Sequence, residues 1–285
     1  MLKVDEEIGI LCYKEHELPG VKEKLKGEGI EVSFYNVKDI DEQGLYDEEI
    51  EKLDVIWGKE SKVPVLETVK KAEEKNVKTV NTYETHLAAD FRPASNIILE
   101  KNGFNVPDWG VKNFDKGHYS YKVLNNDYMD LLGLESKEVP NGDKIVRKDI
   151  VEMLEHPGPE VEIVNGEDNR YEKDKVFEEY KENHEWYYKL YGIDTQEKIK
   201  VHSFKAESPL KEENPQREPI EVDKEIEEDV AEIMNTFKGG VLSIDMLKNG
   251  YVLDVNSAPN PRGTAKIEED VVNCLKNLAE SYECG

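Results

Sequence analysis

The chain has 285 residues, and 63 Asp and Glu against 38 Lys and Arg leave a formal charge of −25, a field that repels a phosphate backbone and excludes nucleic-acid binding over a broad basic surface. No run of about 18 consecutive apolar residues is present, and the acidic opening over 1–7 is unlike a basic signal sequence, so the expectation is a cytoplasmic protein with no membrane partner. Hydrophobic residues at 38% suffice for cores at this length, which suits two or three compact units of roughly 100 to 150 residues each.

In chain order, the first segment reads as an α/β unit. The apolar run 8–13 predicts a strand, 18–27 a helix, and the alternating stretch 30–35 a second strand. Residues 54–57 predict a third strand, 63–75 a helix with the apolar stripe Val65, Leu66, Val69 and Ala72, and 77–80 a fourth strand. Strand, helix, strand repetition implies a parallel sheet. No G-x-G-x-x-G follows the first strand, so a dinucleotide site of the usual kind has no support. One helix over 85–102, stopped at Gly103, and a strand entry at 104–107 come next. Between 113 and 143 the pattern blurs, apart from a helix at 127–132. Residues 144–150 and 176–180 each predict a strand, and 186–193 with 199–206 predict a hairpin around Asp194 and Thr195. The acidic segment 207–219, with three prolines, predicts a loop, and 223–237 an amphipathic helix carrying Ile226, Val230, Ile233 and Met234. Cys12, Cys274 and Cys284 are an odd number without metal-type spacing, so inert thiols are expected rather than a disulfide framework or zinc site.

The closing pattern carries the chemistry. A strand over 240–247 contains Asp245, Lys248-Asn249-Gly250 signals a hairpin turn, and 251–256 returns as a strand. Alternation puts Asp254 and Asn256 on one face and Val255 on the other, with Asp245 able to join the first face from across the ribbon. Two carboxylates and a carboxamide on one face repel and desolvate one another unless a cation or donors lie between them. Hard oxygen donors suit Mg²⁺, which completes its shell with water and substrate phosphates. An exposed acidic face on a very acidic protein is the alternative.

The run Gly240-Val-Leu-Ser-Ile-Asp245 and Tyr251-Val-Leu-Asp254-Val-Asn256-Ser-Ala-Pro259 resembles the C-terminal metal motif of the ATP-grasp superfamily. It looks most like that of the RimK-type, glutathione synthetase-like carboxylate–amine ligases, and is also similar to that of the inositol trisphosphate kinases. The resemblance implies an α/β fold, α+β in its C-terminal part, in which a Rossmann-like pre-grasp domain (1–84) precedes two ATP-grasp subdomains (85–175 and 176–285). It implies ATP and Mg²⁺, or Mn²⁺ in its place, with Asp245, Asp254 and Asn256 as metal ligands. Glu178, Glu179, Tyr180 and Lys181 would form the adenine-reading strand and hinge, with Glu179 and Lys181 acting through main-chain atoms. Lys148 would contact phosphates, Arg92 would open the nucleotide site, and Glu185 would hold the ribose. Lys189 would point to the phosphates or acceptor. His184, next to Asn183, is similar to the Asn-His of the inositol kinases. Arg262, just past Asn256 in a proline-stiffened turn, could hold a substrate carboxylate by a two-pronged hydrogen bond or lie on the surface.

Two departures stand out. Phe91 and then Arg92 follow Asp90, where many members have a lysine directly after the acid. The glycine-rich flap expected after Lys148 is missing, with Gly158 the one glycine in the stretch 149–160, so either the loop closes differently or turnover is weak. The activity the resemblance implies joins a small carboxylate to an amine, amino-acid-type acceptor through an acyl phosphate, with Mg²⁺, lysine and arginine supplying the catalysis. A small-molecule kinase is the alternative enzyme. It fits less well with only five arginines, Arg92, Arg147, Arg170, Arg217 and Arg262, to hold a polyanion. A nucleotide-binding relative without turnover is the third reading. The expected partners are small-molecule substrates, and an oligomer is compatible with the sequence.

Overall fold

A computed structural model describes residues 6–13, 19–111, 136–138, 140, 144–149, 162–165, 175–181, 186–207, 217–259 and 265–281; for 144–149, 162–165 and 207 it describes the backbone alone. The first sheet is built from β1 (Glu7–Cys12), β2 (Glu31–Asn36), β3 (Val55–Gly58) and β4 (Lys78–Val80). They run parallel in the order β2-β1-β3-β4. Between them lie α1 (Pro19–Gly27), the short α2 (Asp47–Ile50) and α3 (Val63–Glu74). Parallel strands are covered on both faces, so they read as apolar runs rather than alternation. Leu11 and Ile56 pack with Val65, Val69 and Ala72 of α3. Ile8, Ile10, Val55 and Trp57 pack on the other face.

The helix expected over 85–102 is two helices, α4 (Tyr83–Asp90) and α5 (Arg92–Lys101), separated by Phe91 in extended conformation at φ −95° and ψ 98°. Pro93 explains the break: it has no N–H, and its ring would meet the carbonyl of Ala89 in a continuous helix. The chain therefore restarts, with Pro93 in the first turn, where a missing donor is harmless.

A second, antiparallel sheet contains β5 (Trp109–Gly110), β6 (Lys144–Asp149), β7 (Glu162–Asn165) and β8 (Lys175–Glu179) in the order β5-β8-β6-β7. The third sheet is antiparallel and five-stranded: β9 (Trp186–Asp194), β10 (Ile199–Glu207), β11 (Arg217–Pro219), β12 (Val241–Met246) and β13 (Val252–Asn256), ordered β11-β10-β9-β12-β13. Part of the expected loop 207–219 is thus a strand, since β11 pairs with Phe204–Ala206 of β10. The helix expected at 127–132 lies outside the described residues.

α6 (Lys224–Phe237) covers one face of this third sheet, where Val230, Ile233 and Met234 join Leu190, Leu242, Ile244 and Val255. The approach is close: a Cβ on Gly192 of β9 would lie 2.6 Å from the Met234 sulfur. On the other face Tyr191, Ile193, Phe204 and Val241 meet α7 (Ala265–Glu280), which the sequence analysis did not anticipate. Ile267, Val271, Cys274 and Leu275 of α7 pack in the same cluster as Ile8, Ile10 and Trp57, so this helix joins the first sheet to the third.

Candidate active site

The third sheet presents its acids through a bulged ribbon. Asp245 pairs with Asp254 and Ser243 with Asn256, but Met246 pairs with Val252, leaving Leu253 as an extra residue on β13. Without this bulge, strict alternation from Val252 would turn Asp254 toward the core. With it, Val252 and Val255 both pack in the core with α6, while Leu253 packs with Tyr187 and Leu247 in a separate small cluster. The alternation expected over 251–256 is corrected in this respect, although Asp254 and Asn256 do share a face opposite Val255.

Two cations meet the acids. Lys189 of β9 is directly across from Asp245, its Nζ 2.7 Å from Oδ1. Arg92, at the restart of α5, forms an ion pair with Asp254 through Nη1. Both pairs are largely shielded, with Lys189 and Asp245 at 13% and 11% exposure and Arg92 and Asp254 at 6% and 19%. Asp245 Oδ1 and Asp254 Oδ1 face these two cations and, like the hydroxyl of neighbouring Ser243, are buried with no hydrogen bond among the described residues. The two acids therefore depend on these cations, or on a metal taking their place, to offset the burial of their charge. Those three oxygens with the Asn256 carboxamide form a hard-oxygen donor set of the kind Mg²⁺ takes, so the residues fit a divalent ion. Among the described residues no group of three or more His, Cys, Asp or Glu converges, so the site rests on two acids and neutral oxygens.

Aromatic residues and one further arginine surround the acids. Burial pushes the Tyr191 phenol up to about 12, against Arg217, which lowers it, and with Asp245, which raises it. Burial, and then the Asp245 charge, also hold the Tyr187 phenol well above its ordinary value. Arg217 of β11 donates from Nη1 to the Tyr191 hydroxyl. Sequence reading named Arg217 only as one of five arginines and passed over Tyr187, Tyr191 and Ser243, because sheet pairing alone brings them beside Asp245.

The hinge strand is closely engaged. Glu178 is buried and accepts a hydrogen bond of 3.2 Å from the Asn96 amide. The Glu179 main-chain N–H donates to the Asp108 carbonyl at 2.7 Å, and Tyr180 follows half-buried. Lys181 Nζ lies 2.5 Å from Glu179 Oε2 and 4.4 Å from the Tyr251 ring centroid. Burial works against this ammonium, but Glu179 and Tyr251 outweigh it and raise its pKa. Lys148 is in β6, paired with Val176 of β8. Glu185, His184, Arg262 and the glycine-poor stretch 150–160 lie outside the described residues.

No protein-family model matches the chain, and no curated protein does. Solved structures do. The ATP-grasp ligase PsnB, complexed with minimal precursor, Mg and ADP, aligns over 98% of this chain and 99% of its own, with TM-score 0.63 and 13% identity. D-alanine–D-alanine ligase from Bacillus anthracis, complexed with ATP, aligns over 96% and 95%, with TM-score 0.59 and 17% identity. The RiPP-associated ATP-grasp ligase of Chryseobacterium gregarium, in complex with ADP and a leader and core peptide, aligns over 95% and 96%, with TM-score 0.60 and 15% identity. With its parallel first sheet, two antiparallel sheets and near-complete coverage of these structures, the chain has the ATP-grasp fold.

Proposed function

We propose that this protein is an ATP- and Mg²⁺-dependent ligase that joins a carboxylate to an amine through an acyl phosphate. The observation that carries the reading is the convergence of Asp245, Asp254 and Asn256 on one face of the last ribbon, with Lys189 and Arg92 against the two acids. In this reading Mg²⁺, held by those three residues, would neutralise charge on the nucleotide's phosphates. The carboxylate oxygen attacks the terminal phosphorus, ADP leaves, and the amine then attacks the acyl carbon, releasing phosphate and losing a proton to solvent. Lys189, Lys148 and Arg92 orient and neutralise phosphate oxygens, and Arg262 holds the carboxylate of the acceptor. The strand and hinge from Glu178 to Lys181 seat the adenine, Leu253 and Tyr251 offer it an apolar bed, and Glu185 meets the ribose. The working domain division is 1–84, 85–175 and 176–285, with β8 carrying the chain across the second boundary.

Ligases whose names specify peptide precursors and one that joins D-alanine are both among the similar structures. The acceptor we favour is an amino-acid-type amine of the RimK kind. Phosphate release from MgATP, screened over amino acids, small acids and short peptides, tests the reading, and release that needs both a carboxylate and an amine is the expected result. A phosphorylated alcohol would indicate a kinase instead. Asp254→Ala with Asn256→Ala should abolish metal-dependent stabilisation by nucleotide, which for wild type amounts to about 2.7 kcal/mol at a hundredfold excess over Kd. Undiminished stabilisation in that variant would place the metal elsewhere.

A further inference from the structure

We propose that Asp90 is a positioning residue that, through Ser257, fixes the end of β13 and so aims the Asn256 carboxamide at the metal; this rests on the metal reading above. Asp90 and Arg92 flank Phe91, and because Phe91 is extended its two neighbours project to the same side while its own ring is fully buried. Both reach β13 or the residue after it. Arg92 meets Asp254, and Asp90 Oδ2 accepts from the Ser257 hydroxyl at 2.6 Å. The break forced by Pro93 therefore makes a two-point grip on the strand that carries Asp254 and Asn256.

Every polar group of Ser257 is held by residues far away in sequence. Its N–H donates to Asp90 Oδ1 at 3.4 Å, and its carbonyl accepts from the Asn81 amide. Its hydroxyl lies 2.6 Å from both Asp90 Oδ2 and His86 Nδ1. The hydroxyl has one proton, and a carboxylate cannot donate, so that proton goes to Asp90 and His86 supplies an Nδ1–H to the Ser257 oxygen. The Nε2 of His86 is buried with no hydrogen bond among the described residues, so the ring is held for its Nδ1 contact alone. Asn81, held at φ 63°, also accepts from the N–H groups of Gly240 and Val241 at 2.8 and 3.1 Å, which ties the start of β12 to the end of β13.

This anchoring sets the aim of Asn256. Its Oδ1 accepts from the Ala258 N–H at 2.7 Å, so the turn through Ser257 decides where the carboxamide oxygen points. Ser257, His86 and Asp90 are 0%, 0% and 1% exposed, so the network has no access to substrate and acts only through β13. Ser61 supplies the internal control: its hydroxyl also donates to Asp90 Oδ2 at 2.6 Å, but it touches the acid without leading to the strand.

The test measures Mn²⁺ affinity of the ADP-bound protein by electron paramagnetic resonance, and ADP affinity without metal by calorimetry. Ser257→Ala should weaken Mn²⁺ about tenfold or more while leaving metal-free ADP binding within about twofold, as expected when a partner behind a ligand is lost. Ser61→Ala should leave both affinities within about twofold. Should Ser257→Ala not fold, Asp90→Asn is read by the same criteria. Wild-type Mn²⁺ affinity in the Ser257 variant overturns the proposal, as does an equal loss in the Ser61 variant, which would mark the network as merely structural. Asp254→Ala separates the two levels. If it leaves Mn²⁺ bound, the metal reading itself is wrong; if it releases Mn²⁺ while Ser257→Ala does not, the site stands and the positioning role fails.

Discussion

Tyr191 sits where three influences on its phenol meet. Its ring lies in the core between the first and third sheets, edge-on to Phe204 at 5.9 Å, and its oxygen accepts a hydrogen bond from Arg217. Burial raises its pKa from 10.0 to about 12 despite that guanidinium, with Asp245 adding to the rise. Cys274 moves in the same direction, from 9.0 to about 12, through burial and then Asp194. A raised acid stays protonated in the fold after it has ionised in the unfolded chain. Its contribution is therefore complete below the unfolded pKa and is lost as pH climbs through the folded one. Unfolding free energy should hold up to about pH 9 and then fall toward pH 12, by at most about 1.4 kcal/mol per pH unit for each such group. Tyr191→Phe should be weaker at pH 8 by about 1 kcal/mol for the lost hydrogen bond, and shallower than wild type above pH 10. Urea titrations at half-unit steps from pH 8 to 11 make the comparison. Parallel slopes would mean that the phenol ionises as easily in the fold as outside it.

At the scale of elements, α7 has the largest consequence for its length. It packs on α1 and reaches β1, β3, β4 and β9, so its apolar stripe is shared between two sheets. Leu275 is fully buried there, whereas Glu269 on the same helix is exposed. Leu275→Ala should cost about 2 to 5 kcal/mol and Glu269→Ala less than about 0.5. Equal losses in urea unfolding would show that the helix stripe is not what joins the sheets. Ile267, Val271, Cys274 and Leu275 carry the helical spacing i, i+4, i+7, i+8, although no helix was expected there. Other differences had no local signal. β11 is three residues long and exists by pairing with β10, and the Leu253 bulge follows from keeping Val252 and Val255 in one core. Pro93 was visible, but apolar residues continue on both sides of it and suggested a single helix. The first sheet was legible from its short apolar runs, and the last ribbon because Asn249-Gly250 marks the turn, although the Leu253 bulge breaks its alternation. The shared face of Asp254 and Asn256 was legible because both lie past the bulge, where alternation resumes. The contacts that hold their surroundings run from 26 residues apart, between Tyr191 and Arg217, to 176, between Asn81 and Ser257, which periodicity cannot report.

Across the whole molecule, the charge of −25 works against compactness. α6 shows the effect locally: burial, and then Glu225, Glu232 and Glu228, raise the Asp229 carboxyl above its ordinary value. Such crowding relaxes in the unfolded chain, where the charges are farther apart. Salt should therefore stabilise the fold, since the screening length falls from about 30 Å at 0.01 M to about 10 Å at 0.1 M. The ion pairs that salt would weaken are either surface pairs such as Lys224–Glu228, which contribute little, or shielded pairs such as Lys189–Asp245, which salt reaches poorly. Repulsion between many like charges outweighs them, and Tm should rise by several degrees between 0.01 and 0.5 M NaCl. MgCl₂ at matched ionic strength distinguishes screening from site binding. If the proposed metal site is correct, Mg²⁺ without nucleotide has to compete with Arg92 and Lys189 for Asp254 and Asp245, so the two salts should give similar curves. In the presence of ADP, whose phosphates can take over those two cations, Mg²⁺ should add stabilisation that NaCl does not. A Tm that falls with NaCl would mean that specific ion pairs, rather than net repulsion, dominate the electrostatics of this fold.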